Sequence, residues 1–249
     1  MRARGREEPG PALDSDPWPA QAFERPVPAR AFRRVRLPRL PLPLIDRRLR
    51  LPTVVVGGLL LIALFMLPAR IHLGEPTVLD KSVVDDWIPF LEWTIWIYAS
   101  YYLFLILAIW LPRDDKRRSD AAYGLVLAGV IGLIIFTLLP TSVVRPMPSA
   151  GGATGFLWGL LFSVDTMVNA LPSLHVANTC LAAVALASRS RPWRIIVPVW
   201  AAMIILSTLT TKQHYAIDVP GGLLLAAVCY VIVRVGVEYR TVDSLFRRD

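Results

Sequence analysis

The chain has 249 residues, 55% of them hydrophobic, and a mean hydropathy of +0.50. A soluble domain has too little interior to hide that much apolar side chain, so composition points to a membrane protein. The formal charge of +8 raises nucleic acid as a partner, and the placement of that charge, taken up below, argues against it.

The first 50 residues hold twelve arginines and nine prolines. Proline at that density prevents a continuous helix, so residues 1–50 are expected to be a disordered basic tail with its basic end on the membrane surface. The first apolar run begins only near Leu51, and no signal peptide is evident.

Six apolar segments follow, at about Leu51–Ala69, Ile88–Leu111, Ala121–Leu139, Leu171–Ala187, Trp193–Leu209 and Val219–Val237. A bilayer core of about 30 Å takes roughly 20 helical residues, and unalternating runs do not make barrel strands. The sequence therefore predicts an all-α fold, a polytopic membrane bundle of six transmembrane helices over residues 51–237. A short tail is expected over residues 238–249. The segment Gly155–Leu161, "GFLWGLL", is too short to cross and is expected at the interface or as a re-entrant piece. Cys180 and Cys229 each sit inside an apolar run and read as packed free thiols.

With the amino terminus inside, 23 of the 27 lysines and arginines fall on cytoplasmic segments. Only Arg70, Lys81, Arg145 and Lys212 fall outside. The positive-inside rule thus predicts both termini cytoplasmic, and anionic lipid accounts for the basic charge with no nucleic acid. In the first outer loop, Glu75, Asp80, Asp85 and Asp86 read as a solvated acidic surface. Trp87, Trp93 and Trp96, with Tyr98, Tyr101 and Tyr102, supply aromatics to the second segment, those near its outer end as an interfacial belt. Glu92 lies about one turn into it, either as a functional carboxylate or as one that snorkels to water.

Of the three histidines, His72 has no polar company, while His175 and His214 are separated by one helical hairpin. Two spans must return the chain to the face it left, so both histidines share the outer face with Arg145. His214 and Asp218 are spaced i, i+4, on one side of a helical turn. A carboxylate that fixes one imidazole nitrogen leaves the other free to attack, although the same pair also serves as a plain structural hydrogen bond. Arg145 and Lys212 bring cations, and Ser173 opens a helix whose unpaired N–H groups suit an anion. Together these groups describe phosphoryl transfer.

The stretches "PSLH" (Pro172–His175), Ser207-Thr208-"LTTKQ"-His214-"YAI"-Asp218, and Arg145-Pro146 resemble the type 2 phosphatidic acid phosphatase superfamily, the lipid phosphatase and haloperoxidase group. Leu138 and Thr208 stand where that family has cations. The "PSLH" form and "KQHYAIDV" are most similar to its branch of inositol phosphorylceramide synthases and bacterial relatives. The resemblance implies a reaction through a phosphohistidine that needs no metal and no cofactor. In it His214 attacks phosphorus, Asp218 orients it, and His175 protonates the departing oxygen. Arg145 and Ser173 hold the phosphoryl oxygens, and Lys212 compensates for Thr208. It further implies a phospholipid or isoprenoid phosphate as substrate; the topology puts the site on the extracytoplasmic face, and the short loops suggest a bacterial inner membrane. Three readings remain open: a lipid phosphate phosphatase; a transferase moving a phospho-head group onto a lipid alcohol such as a sphingolipid; and a transporter or inactive scaffold in which Glu92, His175 and His214 relay protons.

Overall fold

A computed structural model describes residues 39–164, 168–187, 189–242 and 244. Of the tail expected over residues 1–50, residues 1–38 lie outside the described residues. Nine helices carry the described chain: α1 (Arg50–Met66), α2 (Pro68–Ile71), α3 (Val83–Trp87), α4 (Ile95–Trp110), α5 (Asp115–Leu138), α6 (Gly152–Val164), α7 (Leu174–Ala187), α8 (Trp193–Thr210) and α9 (Asp218–Gly236).

Four helical stretches are long and apolar enough to cross a membrane: Glu92–Trp110, Asp115–Leu138, Trp193–Thr210 and Asp218–Gly236. α1 and α7 coincide with the two other expected spans but have only 17 and 14 residues, short of the roughly 20 a bilayer core takes. α7 is the axis of the bundle. It packs against α4, α5, α8 and α9, and only four of its residues escape burial. A helix surrounded by protein does not have to match the hydrocarbon thickness itself, because its neighbours do so.

α6 does not cross. Ser149, just before it, donates to Glu92, while Val168, just after it, accepts from Thr141 N at 3.2 Å. Both ends are thus tethered to one end of the bundle, as expected of so short a segment.

Small residues set the spacing of the core. A methyl on Gly222 would lie 2.6 Å from the Ser173 carbonyl oxygen, and one on Gly221 would lie 2.9 Å from Leu171. The amino terminus of α9 therefore presses directly on the start of α7, which only glycine permits.

Two short parallel pairings were not legible in the hydropathy. β1 (Leu40–Pro43) pairs with β4 (Val237–Arg240), and β2 (Thr77–Val78) pairs with β3 (Thr141–Ser142). The first corrects both expected tails. Residues 40–49 belong to the fold, with Ile45 only 5% exposed, and Val237–Arg240 follows α9 as strand. The physical reason is Arg118, which is fully buried and donates to the carbonyls of Ile45, Ile109 and Pro112 and to Asp115. The β1–β4 pairing also brings the two described ends of the chain side by side, about 27 Å along α9 from Asp218.

Candidate active site

α8 ends in a tight reversal that creates the site. Gln213 N and His214 N both donate to the Thr208 carbonyl, at 3.0 and 3.1 Å, and Lys212 N donates to Leu209 O at 3.1 Å. This is a Schellman-type stop, with Lys212 in the left-handed position at φ +55° where glycine is usual. The strain, about 1–2 kcal/mol, is offset by the side chain: Lys212 Nζ donates to Asp85 O at 2.7 Å and to Ile88 O at 2.5 Å.

The reversal aims His214 inward, where it is 6% exposed. Its Nδ1 lies 3.0 Å from the Ala170 carbonyl and 3.1 Å from Asp218 Oδ2. Both partners are acceptors, so Nδ1 carries a proton, and in the neutral ring the lone pair lies on Nε2. Asp218, wholly buried in the first turn of α9, is fixed by Tyr215 N at 2.9 Å. Its other oxygen, Oδ1, is buried without a hydrogen-bond partner.

His175 enters from the first turn of α7, after the cis Leu171–Pro172 peptide. Its ring lies between those of Tyr98 and Tyr101, at centroid distances of 4.4 and 4.3 Å. Its Nδ1 is 3.4 Å from the Tyr98 hydroxyl, and its Nε2 is buried without a partner. The His175 and His214 rings stand 6.0 Å apart. Arg145, Asn169 and Gln213 join both histidines around one small cavity, closed on the α1 side by Phe65. Arg145 reaches it because Tyr215 ties down its neighbour: the Tyr215 hydroxyl accepts from Val144 N at 3.1 Å and donates to Val144 O at 3.4 Å.

The structure thus gathers His214, Asp218, His175 and Arg145. Ser173 and Lys212 do not line the cavity. Ser173 is buried and caps α7, its Oγ accepting from Val176 N at 3.3 Å, while Lys212 is spent on the two carbonyls above. Leu138 is 55% exposed at the end of α5, and Thr208 is buried with its hydroxyl on Ile205 O. Neither supplies polar contact to the cavity.

The outer loop differs from the acidic surface expected of it. Asp85 is only 4% exposed. Its Oδ2 accepts from Ser82 N and Oγ, and its Oδ1 accepts from Ala216 N at 2.7 Å, two residues beyond His214. Burial opposes its ionisation, but these hydrogen bonds and the Lys212 charge outweigh it and hold the carboxyl below its ordinary range. Burial, helped by Lys81, lowers the Lys212 ammonium against the pull of Asp85. Glu92 grips the Arg145 loop, accepting from Ser149 N at 2.8 Å and Ala150 N at 2.6 Å. Tyr98 and Tyr101 are buried on His175 rather than in an interfacial belt; Trp87, Trp93, Trp96 and Tyr102 are the exposed aromatics of this region.

Asn169, Gln213, Asn178, Tyr98 and Tyr101 were not singled out from sequence as site residues. Asn169 and Gln213 stand beside motif residues. The tyrosines carried only their three-residue spacing on one helix face, which any packed helix shows.

The profile of the PAP2 superfamily matches residues 62–232, well over half of the chain and inclusive of every residue of this cavity. The chain belongs to the PAP2 superfamily. Neither a search of curated proteins nor a search of solved structures returns a match. Membership supports a phosphatase-type or phosphotransferase-like enzyme, and the four apolar helices support a membrane protein.

Proposed function

We propose that this protein is a membrane-embedded lipid phosphate phosphatase that works through a phosphohistidine, without a metal, at the extracytoplasmic face of a six-span bundle. The observation that carries the reading is the pair of acceptors on His214 Nδ1, which leaves Nε2 as a nucleophile pointing into a cavity shared with His175 and Arg145.

Reacting atoms are held about 3–3.5 Å apart in a productive complex. A phosphorus between rings 6.0 Å apart therefore meets His214 on one side and a leaving oxygen near His175 on the other. His214 Nε2 forms the bond to phosphorus as the phosphorus–oxygen bond to the lipid alcohol breaks, and His175 delivers the proton to that alcohol. Water, deprotonated by His175, then attacks the phosphohistidine and frees phosphate and His214. Arg145 balances the charge on the equatorial oxygens. Asp218 stabilises the positive imidazole of the intermediate. Ser173 acts by fixing the start of α7, and Lys212 by holding the His214 reversal.

The cavity measures only about 10 Å³, room for about one water. Admitting a phosphoryl group requires a wall to give way. Phe65 is the wall contributed by α1, a helix with no fully buried residue.

The test is phosphate release from lipid monophosphates by protein in detergent, with EDTA present. Turnover by the native protein and none by His214→Ala is expected; undiminished turnover by His214→Ala overturns the mechanism. Negligible release, with labelled head group moving onto an added lipid alcohol, assigns the same site to a transferase.

A further inference from the structure

A second cavity, a cleft of about 770 Å³ walled almost entirely by apolar side chains, lies between α1, α4 and α5. It shares Phe65, Leu174 and His175 with the small cavity at the histidines. From there it descends along α1 to Leu49, Ile45 and Pro43. Sixteen residues of helical rise separate Phe65 from Leu49, a depth of about 24 Å.

Two features distinguish this cleft from a chance gap between helices. Its middle is kept open by Gly57 and Gly58, around which an added methyl would find no atom within 4 Å. Its far end is lined by a pinned segment, with Pro43, Ile45 and Leu49 facing it. Ile45 N donates to Ser119 Oγ at 2.8 Å, Ile45 O accepts from Arg118 Nη1 at 2.9 Å, and Tyr123 OH donates to Pro43 O at 2.8 Å. A bilayer lipid that merely fills space between helices needs no such floor.

We infer that the cleft holds the hydrocarbon chain of the phosphorylated substrate, and that the Pro43–Leu49 segment sets the longest chain the enzyme accepts. This rests on the phosphoryl-transfer reading, because continuity with His175 is what assigns the occupant. A chain moving from membrane or micelle into the cleft passes between two apolar surroundings, so each added methylene gains little. The length dependence is therefore a ceiling: rates stay level until the chain meets the floor, then fall, because overpacking a fixed wall costs free energy.

The experiment uses a series of straight-chain alkyl phosphates in detergent, with phosphate release as the readout. The native enzyme should show a plateau and then a cutoff. Gly57 lies about 12 Å below Phe65, half the depth of the cleft, so Gly57→Phe and, independently, Gly58→Phe should move the cutoff to roughly half the native chain length. Ile45→Ala should move it to longer chains. Both glycine sites are in open space on a helix, where a side chain also raises helix propensity.

A cutoff unchanged in both folded glycine variants overturns the inference, and the cleft then holds bilayer lipid unrelated to turnover. Non-hydrolysable alkyl phosphonates, read by the rise in Tm, separate the two proposals. A length ceiling in binding without turnover leaves the cleft standing and removes the phosphatase reading. Turnover with no ceiling does the reverse.

Discussion

The two ends of the bundle bury most of their polar groups in opposite ways, Arg50 Nε being a buried atom without a partner at the first. At the end holding β1 and β4, Arg118 is fully buried yet donates to three carbonyls and a carboxylate, and Asp120 accepts from Arg234 at 2.8 Å and Tyr239 at 2.7 Å. At the other end His175 Nε2, Asp218 Oδ1, Gln213 Oε1 and Asn169 Nδ2 are buried with no partner. Burial of a polar group without a hydrogen bond costs about 1–3 kcal/mol, so satisfied clusters hold a fold together while unsatisfied ones weaken it. The first end is built to pin chain segments. The second accepts a stability cost: Asn169 Nδ2, a donor lining the cavity, is an atom an anionic oxygen would satisfy, whereas Asp218 Oδ1 and Gln213 Oε1 are acceptors that call for a donor.

This contrast can be broken. The largest expected effect is at the site: His214→Ala should lose at least about 10⁴-fold in kcat, some 5 kcal/mol of transition-state stabilisation, with a fall in Tm because the buried Asp218 carboxylate and the Ala170 carbonyl lose their donor. Arg118→Ala should act on stability more than on rate, costing about 3–5 kcal/mol, because it leaves three buried carbonyls and the Asp115 charge unpaired. Thermal unfolding in detergent checks both. A His214→Ala variant destabilised more than Arg118→Ala would reverse the assignment of the two ends.

Gly222→Ala probes how the site is assembled. Its methyl would meet backbone, the Ser173 carbonyl at 2.6 Å, so α9 must retreat from α7 and carry Asp218 with it. A displacement near 1 Å is worth about 10²-fold in rate, measured as kcat against an intact helical spectrum.

Asp85 sharpens the comparison, being a satisfied carboxylate at the unsatisfied end. Its folded value lies below the ordinary 3.8. Its stabilisation is therefore fully present above about pH 4 and lost as pH falls through the lower folded value. Asp85→Asn should flatten that acid loss in unfolding experiments. It should also lower kcat more than it raises KM, since Ala216 and the His214 reversal lose their anchor. The smallest effect belongs to Tyr98→Phe: a contact of 3.4 Å is weak, so about twofold in kcat is expected.

Hydropathy placed all six principal helices in order, because an apolar run of bilayer length has few alternatives. The motif spacing placed His214 against Asp218, since i, i+4 on a helical turn is local geometry. Asp85 could not be read this way. Its partner Ala216 is 131 residues away and contributes only a backbone N–H, which no side-chain pattern records. Lys212 misled for a related reason: its charge suggested an anion, while its left-handed backbone and two carbonyl partners give it a structural task.

An apolar helical bundle, the hairpin between His175 and His214, and the groups those side chains offer were all legible in the chain. Periodicity, length and residue type are local properties and survive without coordinates. The tertiary structure alone decided which tyrosines cradle His175, that Asp85 and Glu92 grip the loops of the site, and that residues 40–49 line a cleft instead of trailing as a tail. Each of these depends on backbone groups and side chains far apart in the chain, and the fold brings them together through close approaches such as Gly222 on Ser173.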